Sequence, residues 1–353
     1  MKFLSKIKLI FGQKYLATPW IVFGFLFLLT LSFKLIYLFD FAIRSPDEFF
    51  YIQGAKSLLD GKVLYKDFGE IKPPGIFFLY FFFSKIFGYE NIMIIVKGIN
   101  TVFQTGSAFL IYLIGKKLFS IKTSFILSVV FILAVTVNVK FWPGHIMLLS
   151  LCPFFIFIYY LFDFTKNNLK ISLFLSSFFL SLSFLLSTNF IFFTLIYPIM
   201  LYYIYRNSLK TLYFSLISLF GFLIPLAFFL FYLAINNAFN DWYWWSVEWA
   251  SIYSSHYSLL RKIWSFLDSF RIVWQWTPLL IFSFTGFFLL MKEKTWSLNK
   301  LLIIVVFFIS LISRLMFKGA ERYSLYLLPV FILLLGVFLE KKIVQLKKNI
   351  SSF

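Results

Sequence analysis

Apolar runs of about 20 residues recur along this chain, and that length is what a helix needs to cross the hydrocarbon core of a bilayer. They fall at 20–39, 91–114, 123–140, 145–162, 171–187, 190–205, 211–234, 278–291, 301–317 and 323–340, with a softer apolar run at 75–88. A backbone in lipid must satisfy its own polar groups, so only helices or closed barrels can span it. Runs of this length select helices. The composition agrees: 61% of the residues are hydrophobic and 13% are charged, against about 25% charged in soluble domains. The expected fold class is an all-α polytopic integral membrane protein with about ten transmembrane helices, in a range of 9–12. No small-residue cleavage site follows the first run, so it is expected to stay as a helix. A single transmembrane domain over 1–353 is expected, with no separate soluble domain.

The charge has a sidedness. The formal net charge is +19, which on a soluble fold would suggest nucleic acid. In a membrane chain it reads instead as the bias of basic residues toward cytoplasmic loops. With the N-terminus inside, the inner segments hold Lys116, Lys117, Lys122, Lys166, Lys170, Arg206, Lys210, Lys292, Lys294, Lys300 and the basic residues of both termini. The inner acids are then Asp163, Glu293 and Glu340. Every inner loop is basic, so both termini are expected in the cytoplasm, in an inner or plasma membrane. No nucleic-acid partner is called for. Two long outer loops remain, 41–74 and 235–277, and they carry nearly all the other acids. Chemistry is expected on that extracytoplasmic face. Lys34, inside the first run, is expected to snorkel toward the headgroups. The one cysteine, Cys152, allows no intramolecular disulfide, and two histidines are too few for a histidine-rich metal cluster.

The first outer loop reads RSPDEFFYIQGAKSLLDGKVLYKDFGEIKPPG over 44–75. Ser45 and Glu48 have capping-box spacing, and Pro46 suits the first helical position. Asp47 falls where the helix dipole favours an acid. Phe49, Phe50, Ile52, Ala55, Leu58 and Leu59 give an apolar side, and Gly61 is a natural stop. The expectation is an amphipathic juxtamembrane helix of about four turns on the membrane surface. Asp47 and Glu48 could do no more than start that helix. Their position argues for more, because two adjacent carboxylates directly after a span are costly unless used or solvated. Lys72 precedes Pro73 and Pro74, which forbid a helix there and stiffen the chain. A lysine held so can present a fixed positive charge to a phosphate.

These motifs resemble those of the polytopic GT-C glycosyltransferases, closest to the branch of protein mannosyltransferases and lipid A aminoarabinose transferases. The resemblance rests on the acid pair after the first span, the amphipathic helix ending in DGKVLYKD, the KPPG, the apolar run ending IFG, Lys97 at the start of the next helix, YLIGKKLF at its end, and ERYSLYLLPVF near the C-terminus. It covers the N-terminal third well, the last spans loosely, and the middle only in hydropathy.

The resemblance implies an inverting transferase. It would move a sugar from a polyprenyl-phosphate donor to a protein, lipid or envelope-glycan acceptor on the extracytoplasmic face. The chain has no glycine-rich dinucleotide fingerprint or P-loop, consistent with a lipid-borne rather than a nucleotide sugar. Asp47 matches the family's first-loop acid and is the expected base, with Glu48 beside it. Lys72, Arg322 and Tyr323 are the expected donor-phosphate ligands, although Arg322 would serve equally as an interfacial anchor. Relatives often carry a second acid before the fourth span, where this chain has His145. That departure puts a two-acid mechanism or a bridging metal in doubt. No cofactor is expected, and a divalent metal stays open. The alternatives are a non-catalytic lipid-linked-sugar flippase or transporter, or a degenerate family scaffold.

The second outer loop, NDWYWWSVEWASIYSSHYSLLRKIWSFLDSFRIVWQW over 240–276, holds seven of the ten tryptophans. Trp and Tyr gather where lipid meets water. They would also serve as a platform for a sugar or a prenyl chain, with Asp241, Glu248 and His256 as substrate contacts.

Overall fold

The computed structural model describes residues 16–38, 46–137, 146–255, 276–293, 297–316 and 325–351, with isolated positions between 258 and 267. Four expected site residues, His145, His256, Arg322 and Tyr323, lie outside them, as does the capping residue Ser45.

The described chain is helical, and its only β feature is an isolated bridge between Leu64 and Phe68. The order is α1 (Pro19–Leu38), α2 (Pro46–Leu59), α3 (Gly75–Phe87), α4 (Ile92–Leu118), α5 (Ile121–Val137), α6 (Ile146–Asn167) and α7 (Lys170–Leu186). A 3-10 stretch, Thr188–Leu195, then leads into α8 (Ile196–Tyr205) and α9 (Ser208–Ile235). The remainder is α10 (Phe239–Tyr243), a π-helical stretch Trp244–Trp249, α11 (Ala250–Ser255), α12 (Thr277–Met291), α13 (Leu298–Met316) and α14 (Leu328–Ser351). Among the described residues, five stretches are long and apolar enough to cross a membrane: Tyr89–Leu118, Ile146–Asn167, Thr188–Tyr205, Ser208–Ile235 and Leu298–Leu315. Shorter apolar helices stand beside them, α3 and α7 among them.

Helix α4 is central, packing on α1, α5 and α6, while α7 lies between α6 and α9, and α14 joins α12 to α5. Much of α9 faces outward with large apolar side chains: Phe220, Phe228 and Phe231 are all exposed. Such a face would drive association in water and suits contact with lipid chains.

The two ends of the bundle differ. At one end, Lys117 at the foot of α4 pairs with Asp163 of α6 at 2.6 Å, and Asp163 also accepts from Ser172 of α7 at 2.6 Å. Glu340 of α14 accepts from the Ser120 backbone N–H at 3.0 Å and from the Ser120 and Thr123 hydroxyls at 2.9 and 2.7 Å. Glu293 takes Lys300 on one oxygen and Lys341 at 2.6 Å on the other. All three acids assigned to the inner loops therefore tie neighbouring helix ends together at this one end. The long loop between α2 and α3 lies at the other.

Candidate functional site

Helix α2 begins with Pro46, Asp47 and Glu48 in its first turn. It ends in a Schellman motif: Gly61 takes φ +80°, its N–H reaches Leu58 O at 3.2 Å, and Lys62 N–H reaches Ser57 O at 2.9 Å. The face toward the protein differs from the expected one. Phe49 and Phe50 are exposed, while Glu48, Tyr51, Ile52 and Ala55 are buried. The inward stripe thus has helical spacing counted from Glu48, and the two phenylalanines point away from the bundle. Glu48 lies near enough to Tyr80 of α3 for its charge to bear on the phenol.

Residues 60–74 fold into a compact knot pinned to the end of α9. Asp67 accepts the Val63 N–H at 2.6 Å, and Tyr65 donates its own N–H to Phe68 O at 3.0 Å. The Tyr232 hydroxyl of α9 accepts the Leu64 N–H at 2.9 Å, and Lys66 reaches Asn236 O at 3.1 Å. Tyr65 is buried, and burial pushes its phenol up. It keeps the proton and donates it to Lys72 O at 2.8 Å. Glu70 Oε1 accepts the N–H groups of Ile71 at 2.8 Å and Lys72 at 3.2 Å. The backbone at Lys72 is therefore held from both sides before the diproline begins.

This brings Lys72 Nζ to 3.5 Å from Asp47 Oδ1, with both side chains mostly covered. Glu70 joins the group electrostatically. Burial raises its carboxyl above the usual range, Lys72 pulls it back, and the Asp47 charge adds to the rise. Two acids thus flank one lysine. The sequence reading had Asp47 and Lys72 but missed Glu70. The available signal was its place two residues before the lysine of the diproline motif.

The second outer loop sits over this knot. Trp245 lies on Gly69 so closely that a Cβ there would overlap its indole, and the ring of Trp242 meets Phe229. Of its expected polar contacts, Asp241 is half-buried and Glu248 is exposed, and neither forms an ion pair with a described residue. Trp244 and Trp249 are exposed. The π-helical turn sets these tryptophans out of α-helical step, so some face the knot and others face outward.

An apolar cavity of about 600 Å³ starts at Pro74 and Gly75, just past Lys72. It runs between α3, α4, α6, α7 and α9, along Phe78, Phe82, Phe103, Leu182, Phe228 and Phe229. Tyr232, which pins the knot, also lines it.

Three cations lie buried within helices. Lys34 does not snorkel. It is buried against α4, donating to Asn100 Oδ1 at 2.7 Å. Lys97 and Arg314 are buried too. Among the described residues no group of three or more His, Cys, Asp or Glu stands ready to hold a metal ion. No protein-family model matches the chain, and comparison with curated proteins gives no match.

Proposed function

We propose that the chain is a GT-C-type glycosyltransferase with about ten spans and both termini cytoplasmic, using a polyprenyl-phosphate sugar at the α2 end of the bundle, on the extracytoplasmic face. The observation that carries the reading is the Asp47–Lys72 pair, with the apolar cavity lined from Pro74 onward, two residues after Lys72. A lipid phosphate needs a cation for its head and an apolar bed for its chain, and the chain passes from Lys72 to the cavity wall at Pro74 within two residues. Membrane lipid and a protein, lipid or glycan acceptor complete the partners.

In the reaction the donor phosphate takes the place of Asp47 on Lys72, and the Asp47 carboxylate turns to the acceptor. The acceptor oxygen attacks the anomeric carbon from the face opposite the phosphate. The C–O bond to phosphate breaks, and the electron pair leaves with the lipid phosphate, where Lys72 stabilises the charge. The acceptor proton passes to Asp47, and the anomeric configuration inverts. Glu48, buried at the helix start, holds α2 against α3 near Tyr80. Glu70 fixes the lysine backbone and provides a second acid beside the first.

The test is transfer of labelled sugar from polyprenyl phosphate by the full chain in lipid. Asp47→Asn should lose transfer by about a hundredfold or more, the scale of a general base. Full activity in that variant would remove Asp47 as base. One observation favours the alternative of a non-catalytic lipid-linked-sugar carrier: cations buried inside helices are common in transporters, and Lys34, Lys97 and Arg314 are such. Sugar-lipid movement across vesicles without any transfer would decide for the carrier. Neither transfer nor movement would leave a scaffold.

A further inference from the structure

We propose, on the reading of Lys72 as a phosphate ligand and of the cavity as a bed for a lipid chain, that Phe229 of α9 is a positioning residue for Lys72. Through it, a chain seated in the cavity tightens the hold on a phosphate. Phe229 lines the cavity and is 6% exposed. Its ring meets the Tyr65 ring edge-on, with centroids 6.2 Å apart and planes at 66°. The Tyr65 hydroxyl in turn donates to Lys72 O at 2.8 Å. Two contacts therefore lead from the cavity wall to the backbone that presents the lysine.

The same wall holds the knot a second time. Tyr232 lies three residues on, a neighbour of Phe229 on the surface of α9. It also lines the cavity, and its hydroxyl accepts the Leu64 N–H at 2.9 Å. Its ring meets that of Phe78 of α3, another cavity residue, at 4.9 Å. Leu64 and Tyr65 are adjacent and both buried, so the knot rests on two side chains that also line the cavity. Trp242 of the second outer loop meets Phe229 at 5.9 Å, which braces the ring between that loop and the knot. A hydrocarbon chain in the cavity adds contact atoms to Phe229 and Tyr232. It thereby narrows the motion of the two side chains that hold Leu64 and Tyr65. A phosphate on Lys72 needs that same stretch in place. Chain and phosphate then bind with a coupling free energy, and each tightens the other by the same factor.

The test compares geranylgeranyl phosphate with geranylgeraniol, which has the chain alone, on the full chain in lipid. The wild type should bind the phosphate ester more tightly than the alcohol, and Lys72→Ala should abolish the difference. Phe229→Ala should weaken the alcohol, and weaken the ester by about fivefold more, the low end of coupling between sites. Tyr65→Phe keeps the ring and removes only the hydroxyl. It should weaken the ester by about 3- to 10-fold, the worth of one hydrogen bond, and leave the alcohol unchanged. Geranylgeraniol alone should also slow hydrogen exchange at the Leu64, Tyr65 and Lys72 N–H groups of the wild type. Unchanged exchange there, or the same factor lost on both ligands in Phe229→Ala, overturns the coupling and leaves Lys72 as a phosphate ligand. An ester no tighter than the alcohol in the wild type overturns both. If Phe229→Ala does not fold, Tyr65→Phe and the exchange measurement decide.

Discussion

Lys72 Nζ stands 3.5 Å from Asp47 Oδ1, although a helix, a Schellman turn and a folded loop separate the two residues. The contact exists because the Lys72 backbone is held by Tyr65 and Glu70, and because the knot that carries it is tied to α9. The lysine is presented by backbone hydrogen bonds, not by its own flexible stem. If the transferase reading holds, Lys72→Ala should weaken donor binding by about 10- to 100-fold, the loss of one charge-assisted contact, and leave acceptor binding nearly unchanged. Separate titrations of donor and acceptor measure this. Equal losses on both would show that Lys72 only holds the loop.

Glu70 should make stability depend on pH. Its carboxyl is raised by burial, so the folded chain holds that proton more tightly than the unfolded one. The contribution is fully present below the ordinary glutamate value and declines as pH rises from there through the raised folded value. Glu70→Gln keeps an oxygen for the Ile71 and Lys72 N–H groups and removes the titration. Melting midpoints between about pH 4 and about pH 8 should fall less with pH in the variant than in the wild type. Identical slopes would mean that Glu70 is solvated in both states.

Gly69→Ala should destabilise the knot by about 1–3 kcal/mol, because the new methyl meets the Trp245 indole. Trp245→Ala in the same chain should recover part of that loss. The readouts are thermal unfolding and the red shift of tryptophan emission as the ring leaves its seat. An additive double variant would show that the two residues do not press on each other.

Glu340→Ala should cost about 2–4 kcal/mol, since the Ser120 N–H and two hydroxyls lose their shared acceptor at once. The damage should be local to the seam between α14 and the turn joining α4 to α5. Hydrogen exchange at that turn is the discriminating measurement, and unchanged protection there would refute the clamp.

Hydropathy made the helices legible. The apolar runs at 211–234 and 301–317 became Ser208–Ile235 and Leu298–Met316, because length and composition alone decide a span. The 190–205 run hid a change of pitch, since a 3-10 turn and an α turn share the same apolar side chains. Asp47 and Lys72 were legible as separate motifs, but their meeting depends on the fold of 60–74, where Tyr65 takes a left-handed φ of +71°. Lys34 was misread because a window average hides a stripe. Lys97, Asn100, Gln104 and Ser107 follow one another at helical spacing on α4 and are all buried. Read as a face instead of a mean, they mark the side of α4 that Lys34 meets.

The wall of the apolar cavity contains Cys152, the only cysteine in the chain. The unmutated protein therefore has a single thiol lining that cavity. Thiol modification in the folded chain falls at this one place, and a lipid chain that fills the cavity should slow it further. Occupancy could be followed without engineering a residue, and without disturbing the charged end where the chemistry is proposed.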